Sequence, residues 1–449
     1  MSLLNLSTRA SNIQAKLKKF VEEKCVPAEA EFDEHMSNLS GGERWSDGAV
    51  PPVINHLKEE AKMLGLWNLF LPHSLPSHLP RELSPSVHLS NREYGILCET
   101  MGRSILAPEA CNCSAPDTGN MEVLLKFGTK EQQQRWLVPL LDGTIRSSFL
   151  MTEPDVASSD ATNIETKLTK ICAENGKVVY VLNGKKWWST GAMDPRCKFA
   201  LVLARMDYTH PSCKANRTEP LGKQAQDRKH SDHTVILVPI DTPGVHLARA
   251  LTVFGYDDAP HGHAEVHLKD VQLDAASLIL GEGRGFEIAQ SRLGPGRVHH
   301  CMRAVGQAAR CFEHMMERAL GRETFGKHLW KHGMTQEMIA DSAADLEAAR
   351  LLTLSCAADI DEKGAKGARD KIAMIKFAVA ELAHRVVDRA VQVFGGAGVS
   401  EDFPMARLLA GLRTLRIADG PDAVHKRTLA LLEVKKALHR ISLDSRSRL

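Results

Sequence analysis

The segment "KVVYVLNGKKWWST" (177–190) decides the fold class of this 449-residue chain. It is rich in β-branched and aromatic residues and contains no proline, a composition typical of a strand. Two further runs share this character, "FALVLARM" (199–206) and "HTVILVPI" (233–240), and "HAEVHLKDV" (263–271) alternates apolar with polar residues as a half-buried strand does. These runs predict a small β domain over residues 146–280.

Helical patterns flank the β domain. On its N-terminal side, the residues up to 145 follow helical spacing that is broken by Pro- and Gly-rich loops. Near the start, Ser7 or Thr8 is a candidate cap for an amphipathic helix, and "TKEQQQRWLVPLLDG" (129–143) predicts a short capped helix that ends at Gly143. The first third of the chain is therefore expected to be helical.

On the C-terminal side the predicted helices are longer. One apolar stripe steps by three or four residues through Ile372, Ile375, Val379, Leu382, Val386, Ala390 and Val393. A second predicted helix presents Ile339, Ala343, Leu346 and Leu354. Short connections between such helices favour an antiparallel bundle. The predicted fold class is α+β multidomain, with an N-terminal helical domain (1–145), a central small β-barrel or β-sheet domain (146–280), a C-terminal four-helix bundle (281–436) and a tail (437–449).

Composition excludes several classes of protein. A net charge of +2 gives no global attraction to nucleic acid or anionic lipid, and no apolar run approaches the roughly 20 residues that a membrane span needs. The ten cysteines are scattered without a C-x-x-C pair, which favours reduced thiols over a metal site. The basic segment within residues 211–231 lacks interleaved aromatic residues, so a loop between strands is favoured over a nucleic-acid patch.

Two terminal features bear on the cellular location. The sequence ends in Ser447-Arg448-Leu449, a conservative variant of the peroxisomal S-K-L signal. The N-terminal residues before Glu22 are basic, which is a weaker indication of a mitochondrial presequence. A peroxisomal location is expected, with the mitochondrial matrix as the alternative.

One carboxylate stands in an unusual setting near the C-terminus. In "TLRIADGPDAVH" (414–425), Asp419 follows an apolar pair and precedes Gly420 and Pro421. The local pattern alone is compatible with an ordinary helix cap, because Asp is a favoured N-cap and Pro a favoured first-turn residue. Glycine also allows another group to approach the backbone closely, so a chemical role for Asp419 stays open.

Five blocks, in order, carry a resemblance to one enzyme family. They are "SFLMTEPDVASSD" (148–160), "YVLNGKKWWSTGA" (180–192), "GRETFGKHL" (321–329), "AVQVFGGAGVSEDFP" (390–404) and "RIADGPDAVHKR" (416–427). Together they resemble the signature blocks of FAD-dependent acyl-CoA dehydrogenases over about residues 8 to 435. The chain looks most like a eukaryotic branch that is sometimes fused to a kinase-like phosphotransferase domain.

The resemblance implies a reaction and a base. Such enzymes remove an α-proton and a β-hydride from an acyl-CoA thioester and give a trans-2-enoyl-CoA. A weakly acidic C–H needs a carboxylate base close by, and the thioester oxygen needs hydrogen bonds where charge develops. The family's base position matches Asp419, where most members have Glu, one methylene longer. Some members place the base where Gly296 stands here, and Gly296 cannot act as one.

The same resemblance implies a cofactor site shared between two subunits. It assigns FAD contacts to Met151, Thr152, Ser158 or Ser159, Trp188, Ser189, Thr190, Arg322, His332, Gln392, Gly395 and Gly396, and substrate-side roles to Arg297 and Gly420. For Arg297, a structural ion pair is the competing interpretation. No metal is expected. A homodimer or homotetramer follows if the partner subunit completes each FAD site, with electron-transferring flavoprotein or O2 as the electron acceptor.

Two other functions stay open at this stage. A nitroalkane oxidase on the same fold also uses Asp as its base and works without CoA. A non-catalytic flavin- or nucleic-acid-binding relative is the third interpretation, although the near-neutral charge disfavours nucleic acid.

Overall fold

A computed structural model describes residues 3–71, 73–172, 177–208, 210–212 and 232–446. The N-terminal helices are α1 Thr8–Phe20, α2 Val26–Ser37, α3 Pro52–Leu64, α4 Asn91–Gly102, α5 Ala107–Ala110, α6 Asp117–Phe127, α7 Lys130–Gln132 and α8 Val138–Asp142. The strands are β1 Arg146–Leu150, β2 Lys167–Cys172, β3 Val178–Thr190, β4 Cys197–Asp207, β5 His233–Pro239, β6 Val245–Leu251, β7 His263–Asp274, β8 Glu323–Thr324 and β9 Lys327–His328. The C-terminal helices are α9 Gly285–Gly321, α10 Gly333–Gly367, α11 Arg369–Phe394, α12 Met405–Leu415 and α13 Asp422–Arg446. The expected order of helices, sheet and helices is confirmed.

Local capping sets the ends of the N-terminal helices. The Ser7 side chain accepts a hydrogen bond from Ala10 N at the start of α1. Thr129 forms a capping box with Gln132, and Gly143 ends the following helical stretch in a left-handed conformation at φ 77°. Both ends of the helix predicted over 129–143 are therefore confirmed.

The central domain is a mixed sheet in the order β1-β4-β2-β3-β7-β6, with β5 also paired to β4. The long strands β3 and β7 pair antiparallel, which places Thr190 opposite His263. The alternation expected in β7 is present, because Ala264, Val266 and Leu268 are all buried. This pairing brings the carboxyl end of β3 to the edge of the functional site described below.

Two glycines allow close packing between the N-terminal domain and the C-terminal bundle. A Cβ on Gly306 of α9 would lie 2.0 Å from the Glu99 carbonyl oxygen of α4, and one on Gly102 would lie 2.2 Å from the Arg303 carbonyl oxygen. The two helix backbones therefore approach more closely than any side chain allows. We infer that α4 and α9 form a single rigid wall of the molecule.

A buried ion network joins the N-terminal helices to the sheet. The Glu109 carboxylate lies 2.8 Å from Arg146, 2.7 Å from Arg196 and 3.0 Å from Lys58. Arg146 also pairs with Asp117 at 2.7 Å, and the side chains of both are at most 5% exposed. Three cations from different elements thus converge on one carboxylate.

Some details differ from the sequence-based expectations. Ala343 is exposed, whereas Ser342 is fully buried, because the face of α10 packed on the bundle runs through Ser342, Leu346 and Ala349. The helix α13 continues to Arg446, so residues 437–446 of the expected tail are helical. Most of the basic segment (213–231) and the terminal 447–449 lie outside the described residues.

Two further expectations concern cysteines and membranes. Eight cysteines within the described part of the chain are buried free thiols. Among the described residues, no helix has the length and apolar character needed to span a membrane.

Candidate functional site

Asp419 lies in the link between α12 and α13, in a conformation rare for a residue with a side chain. Its φ is +54° and that of Gly420 is +97°. Its carbonyl oxygen accepts hydrogen bonds from Arg297 Nη2 at 3.2 Å and from His425 Nε2 at 3.1 Å. Strained backbone held by side chains from two helices is typical of functional sites. The N-cap interpretation does not describe Asp419, because Asp422 is the first residue of α13.

Positively charged and polar groups surround the Asp419 carboxylate. His300 Nε2 lies 3.6 Å from Asp419 Oδ2. Burial raises the pKa of Asp419, but His300, Arg292, Lys376 and Arg297 together lower it further, so that the net pKa lies below its usual value. The carboxylate is therefore ionised at neutral pH and able to accept a proton.

A cleft of about 380 Å³ extends beside His300. The helix α9 contributes His300 and Arg303, and α12 contributes Leu408 and Leu412. The loop 258–261 of the β domain closes another side. The lining combines apolar side chains with many charged and polar ones, among them Glu109, Arg146 and Asp258.

A second set of predicted residues forms a platform at the end of β3. Trp188 is 38% exposed and adopts a positive φ of 50°, next to an irregularity in the β3–β7 pairing. Lys186 Nζ donates to the Met151 carbonyl at 3.0 Å, and Trp187 N donates to the Thr152 carbonyl at 3.0 Å. These bonds hold the segment after β1 beside the exposed indole.

A buried ion pair stabilises the platform. Lys186 is fully buried and lies 2.8 Å from Glu153 Oε1. Burial lowers the pKa of Lys186 to about 8, although Glu153 opposes the shift. Glu153 in turn accepts from the backbone N–H groups of Glu165 and Thr166. The ion pair therefore fixes the loop that carries Met151 and Thr152.

The predicted serines differ in their surroundings. Ser158 Oγ accepts a hydrogen bond from Glu153 N at 3.1 Å inside its own loop, whereas Ser159 is exposed. Ser189 is 1% exposed, and its Oγ is buried without a hydrogen-bond partner among the described residues. Of the pair left open by the sequence, Ser159 is the one available to a ligand.

The sequence analysis did not identify His263 as a site residue. Its Nδ1 lies 2.9 Å from Thr190 Oγ1, and its Nε2 lies 3.2 Å from Asp258 Oδ2. In the tautomer that presents Nε2–H to the Asp258 carboxylate, Nδ1 accepts from the Thr190 hydroxyl. Asp258 and His263 therefore orient the hydroxyl of Thr190. The register that places residue 190 opposite 263 was the signal that could have found this pair.

The remaining predicted cofactor residues lie on two other surfaces. Arg322 is exposed at the end of α9, and His332 Nε2 lies 3.2 Å from the Thr324 carbonyl nearby. Gln392, Gly395 and Gly396 are exposed at the end of α11. Neither surface contributes to the cleft beside His300, as far as the described residues extend.

The platform fits a flavin. The half-exposed indole of Trp188 offers an aromatic face, and the Thr190 hydroxyl and exposed Ser159 offer neutral polar groups. The exposed guanidinium of Arg322 suits a pyrophosphate. The described ranges contain no group of three or more His, Cys, Asp or Glu side chains able to hold a metal ion. The donor set therefore suits FAD.

Gly420→Ala is expected to lower turnover about 10- to 100-fold. A Cβ at this position would lie 2.8 Å from His425 Nε2, and the φ of +97° is strained for alanine. Either effect displaces Asp419, the base expected from the family resemblance, and a displaced base slows the reaction. Steady-state kinetics measure the loss of turnover. Gly42→Ala is the control, because a Cβ on Gly42 meets nothing within 4 Å. Equal rates for both variants would contradict the placement of Asp419.

The chain is similar to known proteins over most of its length. Models of the acyl-CoA dehydrogenase N-terminal, middle and C-terminal domains match residues 7–144, 148–271 and 283–431. "Probable acyl-CoA dehydrogenase IBR3" of Arabidopsis thaliana is 48% identical over 95% of this chain and 50% of its own length. "Acyl-CoA dehydrogenase family member 11" of Gallus gallus is 47% identical over 95% of this chain and 51% of its own. The chain thus spans about half the length of these relatives.

Other relatives match from end to end. "Probable acyl-CoA dehydrogenase FadE2" of Mycobacterium tuberculosis is 46% identical over 96% of this chain and 97% of its own. A solved structure from Mycobacterium abscessus, provisionally named an acyl-CoA dehydrogenase, is 42% identical with a TM-score of 0.86, covering 97% and 100% of the two chains. Butyryl-CoA dehydrogenase from Megasphaera elsdenii shares the fold at 24% identity and a TM-score of 0.74, over 97% and 100%.

Proposed function

The chain belongs to the acyl-CoA dehydrogenase family, and from that premise we propose that it oxidises an acyl-CoA thioester to the trans-2-enoyl-CoA with FAD as cofactor. The observation that carries the proposal is the position of Asp419: its carboxylate lies next to His300 beside the cleft, and its carbonyl oxygen is held by Arg297 of α9 and His425 of α13. In this reaction a carboxylate oxygen of Asp419 removes the α-proton. FAD, when bound, accepts the hydride from the β-carbon.

The backbone N–H of Asp419 can also take part in the reaction. As the α-proton leaves, negative charge develops on the thioester oxygen and must be stabilised by hydrogen bonds. Within the described part of the chain, Asp419 N–H forms no hydrogen bond, whereas Ile417 N and Ala418 N both donate to Thr414 O. The free N–H is therefore available to the thioester oxygen. The bonds from Arg297 and His425 to the Asp419 carbonyl oxygen fix the backbone next to this N–H.

The platform residues hold and orient the cofactor. Trp188 would pack against the flavin, and Met151, Thr152 and Ser159 would contact it. The Thr190 hydroxyl, which lies 2.9 Å from His263 Nδ1, would also contact the cofactor.

The reaction class is tested by anaerobic titration of the FAD-loaded protein with a panel of acyl-CoAs. Loss of flavin absorbance on adding one or more thioesters is the expected result, because reduction needs no second substrate. The panel also ranks the acyl groups. Bound flavin that no acyl-CoA reduces would overturn the proposal and leave the nitroalkane reaction, which a nitroalkane series in the same assay would detect.

We also propose that each FAD site is completed by a second subunit, in a homodimer or a homotetramer. Arg322 lies next to two strongly exposed apolar side chains, Phe325 (95%) and Met334 (74%), which a second copy would cover. Sedimentation velocity of the FAD-loaded protein tests this proposal. A monomer with stoichiometric FAD would overturn it.

The electron acceptor and the location are linked proposals. The tripeptide Ser447-Arg448-Leu449 supports a peroxisomal location, with the mitochondrial matrix as the alternative, and O2 is the acceptor that suits the peroxisome. Electron-transferring flavoprotein is the other acceptor. Aerobic turnover with stoichiometric hydrogen peroxide supports O2, whereas turnover that is unchanged when oxygen is removed contradicts it.

A further inference from the structure

His300 is the polar side chain of the cleft that lies nearest to the proposed base, and the mechanism above gives it no role. It lies on α9, with its Nε2 3.6 Å from Asp419 Oδ2. Its other ring nitrogen, Nδ1, lies 3.3 Å from Arg303 Nη2. The ring is thus placed between a guanidinium on its own helix and a carboxylate from the link before α13.

The guanidinium determines which ring nitrogen carries the hydrogen. Arginine has donors and no acceptor, so a bond between Arg303 and His300 requires Nδ1 to be the acceptor. In the neutral ring the hydrogen is then on Nε2, the atom that faces Asp419. Arg303 is itself held in place, because its Nη1 donates to the Cys113 carbonyl at 3.1 Å.

The surrounding charges keep the ring neutral. Burial and the charge of Arg303 lower the pKa of His300 to about 4, and Lys376 of α11 and Arg292 of α9 act in the same direction. Asp419 alone opposes them. Above about pH 5 the ring therefore offers Asp419 an N–H dipole and no net charge.

We propose that His300 is a positioning residue for Asp419: its Nε2–H holds the carboxylate in place beside the cleft, and Arg303 fixes the tautomer that carries this hydrogen. The inference rests on the proposed function, in which Asp419 is the base. It accounts for how a base one methylene shorter than glutamate is kept in place. The separation of 3.6 Å is long for a hydrogen bond, and such contacts often tighten when substrate binds.

Two substitutions separate the hydrogen bond from the bulk of the ring. His300→Leu removes the donor, whereas His300→Gln places an amide N–H close to the position of Nε2. His314→Leu is the matched control, because His314 lies on the same helix and contacts only Glu317 among the ion pairs formed there. Each variant is made with and without Asp419→Asn.

The first measurement is thermal unfolding of the FAD-loaded double-mutant cycle at pH 7, which needs no turnover. The Tm shifts of His300→Leu and Asp419→Asn are expected to be non-additive, whereas those of His314→Leu and Asp419→Asn add. Additive shifts for His300 and Asp419 would overturn this inference and leave the proposed function untouched.

The second measurement is the pH dependence of flavin reduction by acyl-CoA. An N–H donor stabilises the ionised carboxylate, so its loss raises the pKa of Asp419. His300→Leu is expected to shift the acid limb of kcat/KM upward by about one pH unit and to lower kcat about 10- to 100-fold. His300→Gln should keep the wild-type profile.

The outcomes are distinguishable. A coupled stability cycle with an unshifted acid limb would make His300 a structural neighbour only and overturn the positioning role. Equal losses for His300→Gln and His300→Leu would overturn the assigned hydrogen. Wild-type flavin that no acyl-CoA reduces would overturn the proposed function and, with it, the role of His300.

Discussion

Asp419→Asn is expected to slow the reduction of bound flavin by acyl-CoA about 10³-fold. General-base catalysis by a positioned side chain contributes rate factors of this order, and the amide of asparagine cannot accept the α-proton. The substitution keeps the size of the side chain. It also keeps the backbone contacts of the site, because Arg297 and His425 bind the carbonyl of residue 419 and not its side chain. Stopped-flow absorbance under anaerobic conditions measures the change directly.

Asp422→Asn is the matched control for that experiment. Asp422 is three residues further along the chain and pairs with Arg416 at 2.8 Å, so it is a carboxylate of the same segment with a different partner. We expect Asp422→Asn to reduce flavin within a few-fold of the wild-type rate. Retention of rapid reduction by Asp419→Asn, with substrate binding intact, would show that another group removes the proton.

Glu109→Gln is expected to destabilise the folded chain by about 3–5 kcal/mol. Removing one member of a buried ionic cluster leaves its partners without compensation, and Arg146, Arg196 and Lys58 all lie within 3.0 Å of this carboxylate, whose side chain is 18% exposed. Chemical denaturation at pH 7 measures the loss. An exposed ion pair provides the control: Lys62 and Asp142 are each about 40% exposed, so Asp142→Asn should cost at most about 1 kcal/mol.

The loss of folding stability in Glu109→Gln should also depend on pH. Burial raises the pKa of Glu109, but Arg146, Arg196 and Lys58 lower it further, so that it lies well below its usual value in the folded chain. A carboxylate with a depressed pKa contributes stability that is present above its unfolded pKa, about 4.3, and is lost as the pH falls below it. The difference between wild type and Glu109→Gln should therefore shrink below about pH 5. A difference that stays constant from pH 7 to pH 4 would contradict this assignment.

The fold was predictable where the periodicity was long. The spacing of apolar residues alone predicts which faces are buried in the β-rich runs before and after residue 199 and in α11. The structure buries these faces. The exposed Ala343 shows the limit of such patterns. Alanine is compatible with either side of a helix, and the packing of α10 against the bundle buries Ser342 in its place.

The candidate site was predictable only in part. Asp419 has a local signal, because a carboxylate before Gly420 in that setting is unusual. His263 has no local signal in the sequence, because its partner Thr190 is 73 positions away and the two residues meet only through the register of the strands. His300 is similar, because nothing in its neighbourhood on α9 indicates that the link before α13 folds back onto it. Hydrogen bonds between distant elements leave no periodic pattern in a sequence.

The close contact between α4 and α9 limits how the substrate range of this scaffold can be redesigned. Gly102 and Arg303 both border the cleft, and their backbones touch, so neither helix can be moved or reshaped to create space for a bulkier acyl group. Leu408 and Leu412 of α12 border the same cleft, and neither takes part in these backbone contacts within the described residues. Engineering for larger substrates should therefore begin by trimming α12, since shortening a side chain there enlarges the cavity without disturbing the wall that carries His300.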